Sequence, residues 1–294
     1  MPALPVKRTR LLSLLLLPLT ACGGDRGAGP RTSVVAAGDI ASCWWRADEA
    51  TARLLDRIDG VVLAVGDLAY QNGTPQQFAR CYGPTWGRHR DRTRPVPGNH
   101  EYRTDGEGYW TYFGDRAGQR GKGWYSFEVD GWHVVALNSE EPMEEGSEQL
   151  EWLRRDLRAH PTRCALAYMH HPAFSSGKHG AARRVQEVFR VLYDGGVDVL
   201  LSGHEHSYER FAPQAPGGRL DRRRGVRQFV VGTGGAPTYP FRELAPNSEA
   251  ANYRTHGVLR LVFHGDGYEW EFVPVRGHSF TDRGRGTCSP PVKP

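Results

Sequence analysis

Five short runs of the chain end in side chains that can bind a metal ion. Ser33–Ala37 runs into Gly38-Asp39, Val61–Val65 into Gly66-Asp67 with Tyr70 close behind, and Arg94–Pro97 into Gly98-Asn99-His100-Glu101. Ala165–Met169 meets His170-His171-Pro172, and Val197–Leu201 meets Ser202-Gly203-His204-Glu205-His206-Ser207-Tyr208-Glu209-Arg210. A lone H-x-H is a weak signal. Five apolar runs each closing in Asp, Asn or His is not what solvated loops produce. The donors are oxygens (Asp39, Asp67, Tyr70, Asn99) and imidazoles (His170, His204, His206). Such a set suits iron, manganese or zinc rather than a thiolate-seeking ion. These seven exceed what one open catalytic ion uses; they suit two ions sharing a carboxylate, the arrangement that displaces phosphoesters.

The elements between these runs must bring them together. Ala47–Ile58, Ser147–His160 and Ala181–Tyr193 repeat apolar residues at helical spacing, the second behind a serine N-cap and the third stopping at Gly195-Gly196. Trp124–Val129 and Trp132–Leu137 flank Asp130-Gly131, and Val258–Phe263 and Tyr268–Val273 flank Gly265-Asp266-Gly267; both read as hairpins. Strands alternating with helices, plus hairpins, predict an α/β fold: a mixed-sheet β-sandwich flanked by helices. In open α/β sheets ligands bind beyond the carboxyl ends of strands, which is where all five motifs fall. No repeat or interdomain linker is visible, so residues 31–294 are expected to form one domain.

The ordered series G-D, G-D-x-x-Y, G-N-H-E, H-x-P and G-H-x-H-x-Y-E-R, over about residues 34–210, resembles the signature of the calcineurin-like metallophosphoesterases. Many of these carry a His two residues after the first Asp. This chain has Ala41 there and adds Tyr70 after the second Asp, and both features point to the purple acid phosphatase branch. The resemblance implies that Asp39, Tyr70 and His206 hold a ferric ion, that Asn99, His170 and His204 hold a divalent ion (Fe, Zn or Mn), and that Asp67 bridges the two. His170 competes with His171; the ligand of the family lies two residues before the proline, which selects His170. His100 and His179 match positions that contact the phosphoryl oxygens and the leaving group. His89, His133, His160, His256, His264 and His278 read as structural or surface residues. Glu209 and Arg210 read as a salt bridge buttressing the His204–His206 loop, and Trp44, Trp45, Trp86 and Trp110 as core aromatics in the first place, with a cleft wall as the alternative. The Gly232-Thr233-Gly234-Gly235 loop ends another apolar run and is expected to approach the site with its backbone.

The implied chemistry is hydrolysis of small phosphate monoesters by a metal-activated hydroxide attacking in line, with His100 or His179 protonating the departing alkoxide. A phosphodiesterase or nucleotidase on the same scaffold would share every motif. A phospho-ligand-binding lipoprotein without turnover is the reading from another class, and a complete two-ion donor set argues against it.

The start of the chain implies export. Lys7, Arg8 and Arg10 precede the apolar Leu11–Leu19, too short to span a bilayer, and Leu19-Thr20-Ala21-Cys22 resembles a lipoprotein lipobox. Residues 1–21 are expected to be a signal peptide, an acylated Cys22 to tether the chain to a membrane surface, and the Gly-rich residues 22–30 to act as a spacer. Removing the segment before Cys22 takes away three positive charges and no negative ones, so the net charge of +5 becomes +2. That balance does not argue for nucleic acid, and Arg222-Arg223-Arg224 reads as a solvated loop, lacking interleaved aromatics. An oxidising compartment predicts two disulfides among Cys43, Cys81, Cys164 and Cys288. Of the three pairings, Cys43–Cys81 with Cys164–Cys288 is favoured: one would tie loops after neighbouring motif strands, the other would pin the tail.

Overall fold

The computed structural model describes residues 1–4 and 32–289; Cys22 and the expected tether lie outside the described residues. Among the described residues, no helix is long and apolar enough to cross a membrane.

The strands are β1 (Ser33–Ala37), β2 (Val61–Val65), β3 (Thr93–Val96), β4 (Tyr125–Val129), β5 (Trp132–Ala136), β6 (Ala165–Tyr168) and β7 (Val199–Ser202). β8 (Tyr208–Phe211), β9 (Arg227–Val231), β10 (Ser248–Asn252), β11 (Gly257–His264), β12 (Gly267–Pro274) and β13 (Arg283–Thr287) follow. They form two sheets, one in the order β13-β12-β11-β1-β2-β3, the other in the order β10-β8-β9-β7-β6-β5-β4. In the first sheet the parallel strands β1-β2-β3 run out to one edge and β11, β12 and β13 continue antiparallel on the other side. In the second a parallel centre, β5-β6-β7-β9, has antiparallel strands at both edges. The mixed-sheet sandwich flanked by helices is therefore present.

Burial explains the sequence patterns. β1 is buried along its whole length, and so reads as a continuous Val/Ala run rather than an alternation. In the second sheet the alternation survives. Val134, Ala136, Leu166 and Tyr168 enter the core between the sheets, while Val135, Leu137, Ala167 and Met169 meet the helices Glu148–Ala159 and Gln186–Asp194 outside. Those helices answer with Leu150, Leu153, Val188, Phe189 and Leu192. Each such side chain stabilises the fold by roughly 1.5–3 kcal/mol relative to leaving it exposed. Ser147 caps the first of these helices by accepting the Leu150 N–H. The second begins later than its apolar pattern, because Arg183–Val185 form a separate 3₁₀ turn. Trp132 stacks on Phe263 at 4.2 Å and its Nε1 donates to the His264 carbonyl, joining the two sheets along one side.

Both favoured disulfides form, Cys43–Cys81 and Cys164–Cys288. The tryptophans divide. Trp86 and Trp110 are core residues, the former donating to Thr51 Oγ1, so neither lines a cleft. Trp45 packs edge-on against Tyr70, and Trp44 stands 83% exposed.

Candidate metal centre

The parallel strands stop together, and the residues just past their ends turn inward. Asp39, Asp67 and His204 all adopt left-handed backbone conformations, with φ of 58°, 51° and 70°. Such conformations cost of order 1–3 kcal/mol each and collect at functional sites. They follow Gly38, Gly66 and Gly203. A Cβ on Gly66 would lie 2.5 Å from His170 Nδ1, and one on Gly203 would lie 2.8 Å from Asp39 Oδ2, so close approach demands glycine at both.

Backbone groups use one oxygen of each carboxylate. Asp39 Oδ2 accepts the His204 N–H and Asp67 Oδ1 accepts the His100 N–H, both at 2.9 Å. The other two oxygens face the hollow. Tyr70 Oη lies 3.0 Å from Asp39 Oδ1, 3.2 Å from Asp67 Oδ2 and 3.2 Å from His206 Nε2. On the other side, His170 Nε2 lies 3.3 Å from the same Asp67 Oδ2 and 3.2 Å from Asn99 Oδ1, which is 3.1 Å from His204 Nδ1. Asp67 Oδ2 is thus common to two groups of donors. Metal–ligand bonds of about 2.0–2.2 Å put neighbouring ligands on one ion about 3.0–3.5 Å apart. The donor set fits a pair of ions on both chemistry and spacing.

The imidazoles are aimed. His170 Nδ1–H donates to the Val65 carbonyl at 3.0 Å and His206 Nδ1–H to the Pro237 carbonyl at 2.8 Å, which leaves Nε2 of each facing the hollow. His171 points elsewhere: its Nδ1 lies 2.9 Å from Ser139 Oγ and 3.1 Å from Glu140 Oε1, beside Arg184. His100 Nδ1–H donates to the Gln71 carbonyl, and its Nε2 lies 3.7 Å from Asp67 Oδ2. The His179 ring sits 4.7 Å from that of His204, at the exposed rim.

Electrostatics point the same way. Burial would raise the Asp67 carboxyl, but His170 and His100 hold it well below the usual range. Burial would likewise lower His170, yet Asp67 and then Asp39 lift it to about 10. His204 is pushed far down by burial and by His170 and His171 beside it. Burial, and then the Asp39 and Asp67 carboxylates, push the Tyr70 phenol well above its ordinary value. Burial would lower His206 too, but Asp39 raises it, so the buried carboxylates favour positive charge on both imidazoles that face them.

Three supporting residues have no role in the motif reading, although two of them stand inside the motifs. Glu101 is fully buried and accepts the N–H groups of Leu68, Ala69 and Gly98, tying the second and third motif loops together; burial and Asp67 raise it to about 8. Glu205, fully buried between the two histidines, accepts the N–H groups of His179 and Gly180. Tyr239 Oη donates to Glu205 Oε2 at 2.9 Å and lies 3.2 Å from His179 Nδ1. The only trace of Tyr239 in the sequence is its position behind the Gly-rich loop. That loop does approach with its backbone: Gly234 N–H donates to the Gly38 carbonyl and Ala236 N–H to the Asp39 carbonyl.

The expected Glu209–Arg210 bridge does not form. Successive residues of a strand face opposite ways. Glu209 accepts from Ser176 and Ser248, whereas Arg210 pairs with Asp282 and Glu249.

Comparison with known proteins places this geometry. The calcineurin-like phosphoesterase family profile matches residues 32–208. Purple acid phosphatase 21 of Arabidopsis thaliana is 30% identical over 262 residues, covering 78% of this chain and 56% of that one. Purple acid phosphatase 18 of the same plant is 27% identical, covering 77% and 56%. The chain spans about half the length of these curated relatives. Among solved structures, the purple acid phosphatase PPD1 of yellow lupin (Lupinus luteus) seeds superposes with a TM-score of 0.70 at 20% identity, covering 90% of this chain and 55% of that one. GAP50, the anchor in the inner membrane complex of Plasmodium, superposes with a TM-score of 0.67 at 12% identity, covering 90% of both chains. At these identities the two structures speak to the fold. With more than half of its length matched by the family profile, the chain belongs to the calcineurin-like phosphoesterase family.

Proposed function

We propose that this chain is an exported phosphatase of the purple acid phosphatase type, hydrolysing phosphate monoesters at a two-metal centre. The observation that carries the reading is the shared Asp67 Oδ2, 3.2 Å from Tyr70 Oη and 3.3 Å from His170 Nε2. Asp39, Tyr70 and His206 would hold a ferric ion, Asn99, His170 and His204 a divalent one, and Asp67 would bridge them. Bound there, the ions supply Lewis acidity, drawing a nucleophile from water at modest pH and neutralising phosphoryl charge.

The protein's own groups do the rest. Asp39 and Asp67 each spend one oxygen on a backbone N–H, so the other is fixed in direction before anything binds. The carbonyls of Val65 and Pro237 lock the tautomers of His170 and His206. His100 and His179 flank the cluster as the two proton carriers, and protonation of the leaving oxygen by either contributes about 10²–10⁴-fold. His179 stands at the rim and suits a leaving group that reaches out to solvent. The relatives named purple acid phosphatase support the reaction class, and the two disulfides support export.

Metal analysis with turnover of a monoester and a diester on the same purified protein tests the reading. Two ions per chain with monoester preference is expected. Preference for the diester would move the chain to a phosphodiesterase, and metals bound without turnover of either ester would make it a phospho-ligand-binding protein.

A further inference from the structure

A second group of ligating side chains converges at the opposite end of the second sheet, by the amino ends of β5 and β6. His133 opens β5 beside Trp132, Asp156 lies on the helix Glu148–Ala159, and His160 is the residue that ends that helix. Asp156 and His160 are four apart and share a helix face. His133 Nε2 lies 2.6 Å from Asp156 Oδ2, and His160 Nδ1 lies 3.4 Å from Asp156 Oδ1. The two imidazole rings are nearly parallel, 4.6 Å apart at 17°. One ligating atom from each of the three residues lies within 4.8 Å of the other two.

A plain His133–Asp156 hydrogen bond tying strand to helix would account for the first contact. It does not account for a second imidazole stacked on the first, whose Nδ1–H donates to the Asp156 carbonyl at 2.9 Å and so leaves Nε2 as its ligating atom. The carboxylate is itself oriented from behind, since Ser126 Oγ donates to Asp156 Oδ1 at 2.7 Å. His133 is 1% exposed, and its Nδ1 has no partner among the described residues. Only His160 reaches solvent, at the wall of a cavity of about 620 Å³ that it shares with Leu157, Thr162 and Ala165. Two imidazoles and one hydrogen-bonded carboxylate on rigid elements, with one side open, are the ligand complement of a three-residue zinc site whose fourth position is water.

We propose that His133, Asp156 and His160 form a peripheral binding site for one divalent transition ion, zinc by preference, separate from the strand-end cluster. Three nitrogen and carboxylate ligands with one open position match the ligand count of zinc sites that keep a water. The ion pins the start of β5 to the end of the helix Glu148–Ala159, replacing the hydrogen bond from His133 Nε2 to Asp156 Oδ2. The site does not depend on the phosphatase reading, because none of its residues touches the strand-end donors.

The test compares the full-length holoprotein with His160→Ala, a change at a half-exposed residue that leaves the buried pair intact. Both are titrated with zinc under calorimetry after identical loading, and zinc-edge anomalous scattering is collected from crystals of the wild type. The expected result is one further zinc equivalent in the wild type, bound about tenfold or more tightly than by His160→Ala. An anomalous peak between His133, Asp156 and His160 is expected, with unchanged phosphoester turnover. Equal zinc stoichiometry in the two proteins, or anomalous density confined to the strand-end cluster, would overturn the site and leave the three residues as a hydrogen-bonded strap.

Discussion

Glu205 holds His179 through its backbone: one carboxylate oxygen accepts the His179 N–H at 2.6 Å, and the other lies 3.5 Å from His179 Nδ1. A histidine in a Ser/Gly-rich rim loop is thereby tied to the H-x-H turn that carries His204 and His206. The loop Ser175-Ser176-Gly177-Lys178-His179-Gly180 looks unconstrained in sequence. Glu205 and Glu209 between them accept N–H groups from Ser176, His179 and Gly180.

Glu205→Ala should therefore disable proton donation without emptying the metal centre. Turnover of alkyl phosphates is expected to fall about tenfold or more, and that of an aryl phosphate with a good leaving group much less, because only the former needs the proton. Metal content should stay at the wild-type value. Equal losses on both ester types would mean that His179 is not the proton donor.

Tyr70 carries the sharpest spectroscopic prediction. Burial, Asp39 and Asp67 all disfavour its phenolate, so only a strongly charged cation can ionise it. The wild type is expected to bind iron and to show a visible charge-transfer band. In Tyr70→Phe the band should vanish while activity falls only in part, since Asp39, Asp67 and His206 still hold the ion. A fully active, iron-free, colourless wild type would refute the ferric assignment.

His170 and His171 have opposite surroundings, and their variants should differ accordingly. His204→Ala is expected to abolish turnover and lose the divalent ion, and His170→Ala to do the same. His171→Ala should keep both ions, because its ring nitrogens face Ser139, Glu140 and Arg184 and only the flat of its ring meets His204, at 4.2 Å. Metal stoichiometry on the three purified variants decides; loss of an ion from His171→Ala alone would reverse the choice.

Cys22 is expected to be acylated. Two or more acyl chains anchor a protein stably, whereas one binds marginally. Fatty-acid labelling in growing cells should mark the wild type and not Cys22→Ser, and the variant should appear in the medium. Equal labelling of the two proteins would refute the anchor.

What the sequence determined by itself was local. An apolar run closing in Gly-Asp, Gly-Asn-His or Gly-His-x-His specifies both a strand and the donor at its end, because a strand buried on both faces cannot carry those side chains until it stops. Hairpins at Asp130-Gly131 and Gly265-Asp266 were legible for a similar reason, as the turn chemistry sits in adjacent residues. Everything depending on which way a side chain points needed the tertiary structure. His170 and His171 are neighbours, and only the Val65 carbonyl on one side and Ser139 and Glu140 on the other separate their directions. Glu209 and Arg210 were read as partners because they adjoin, yet β8 sends them to opposite faces. Glu205 and Tyr239 lie 34 residues apart and meet at 2.9 Å. Their bond, like the convergence of five strand ends on one hollow, arises from long-range packing that no window of sequence contains.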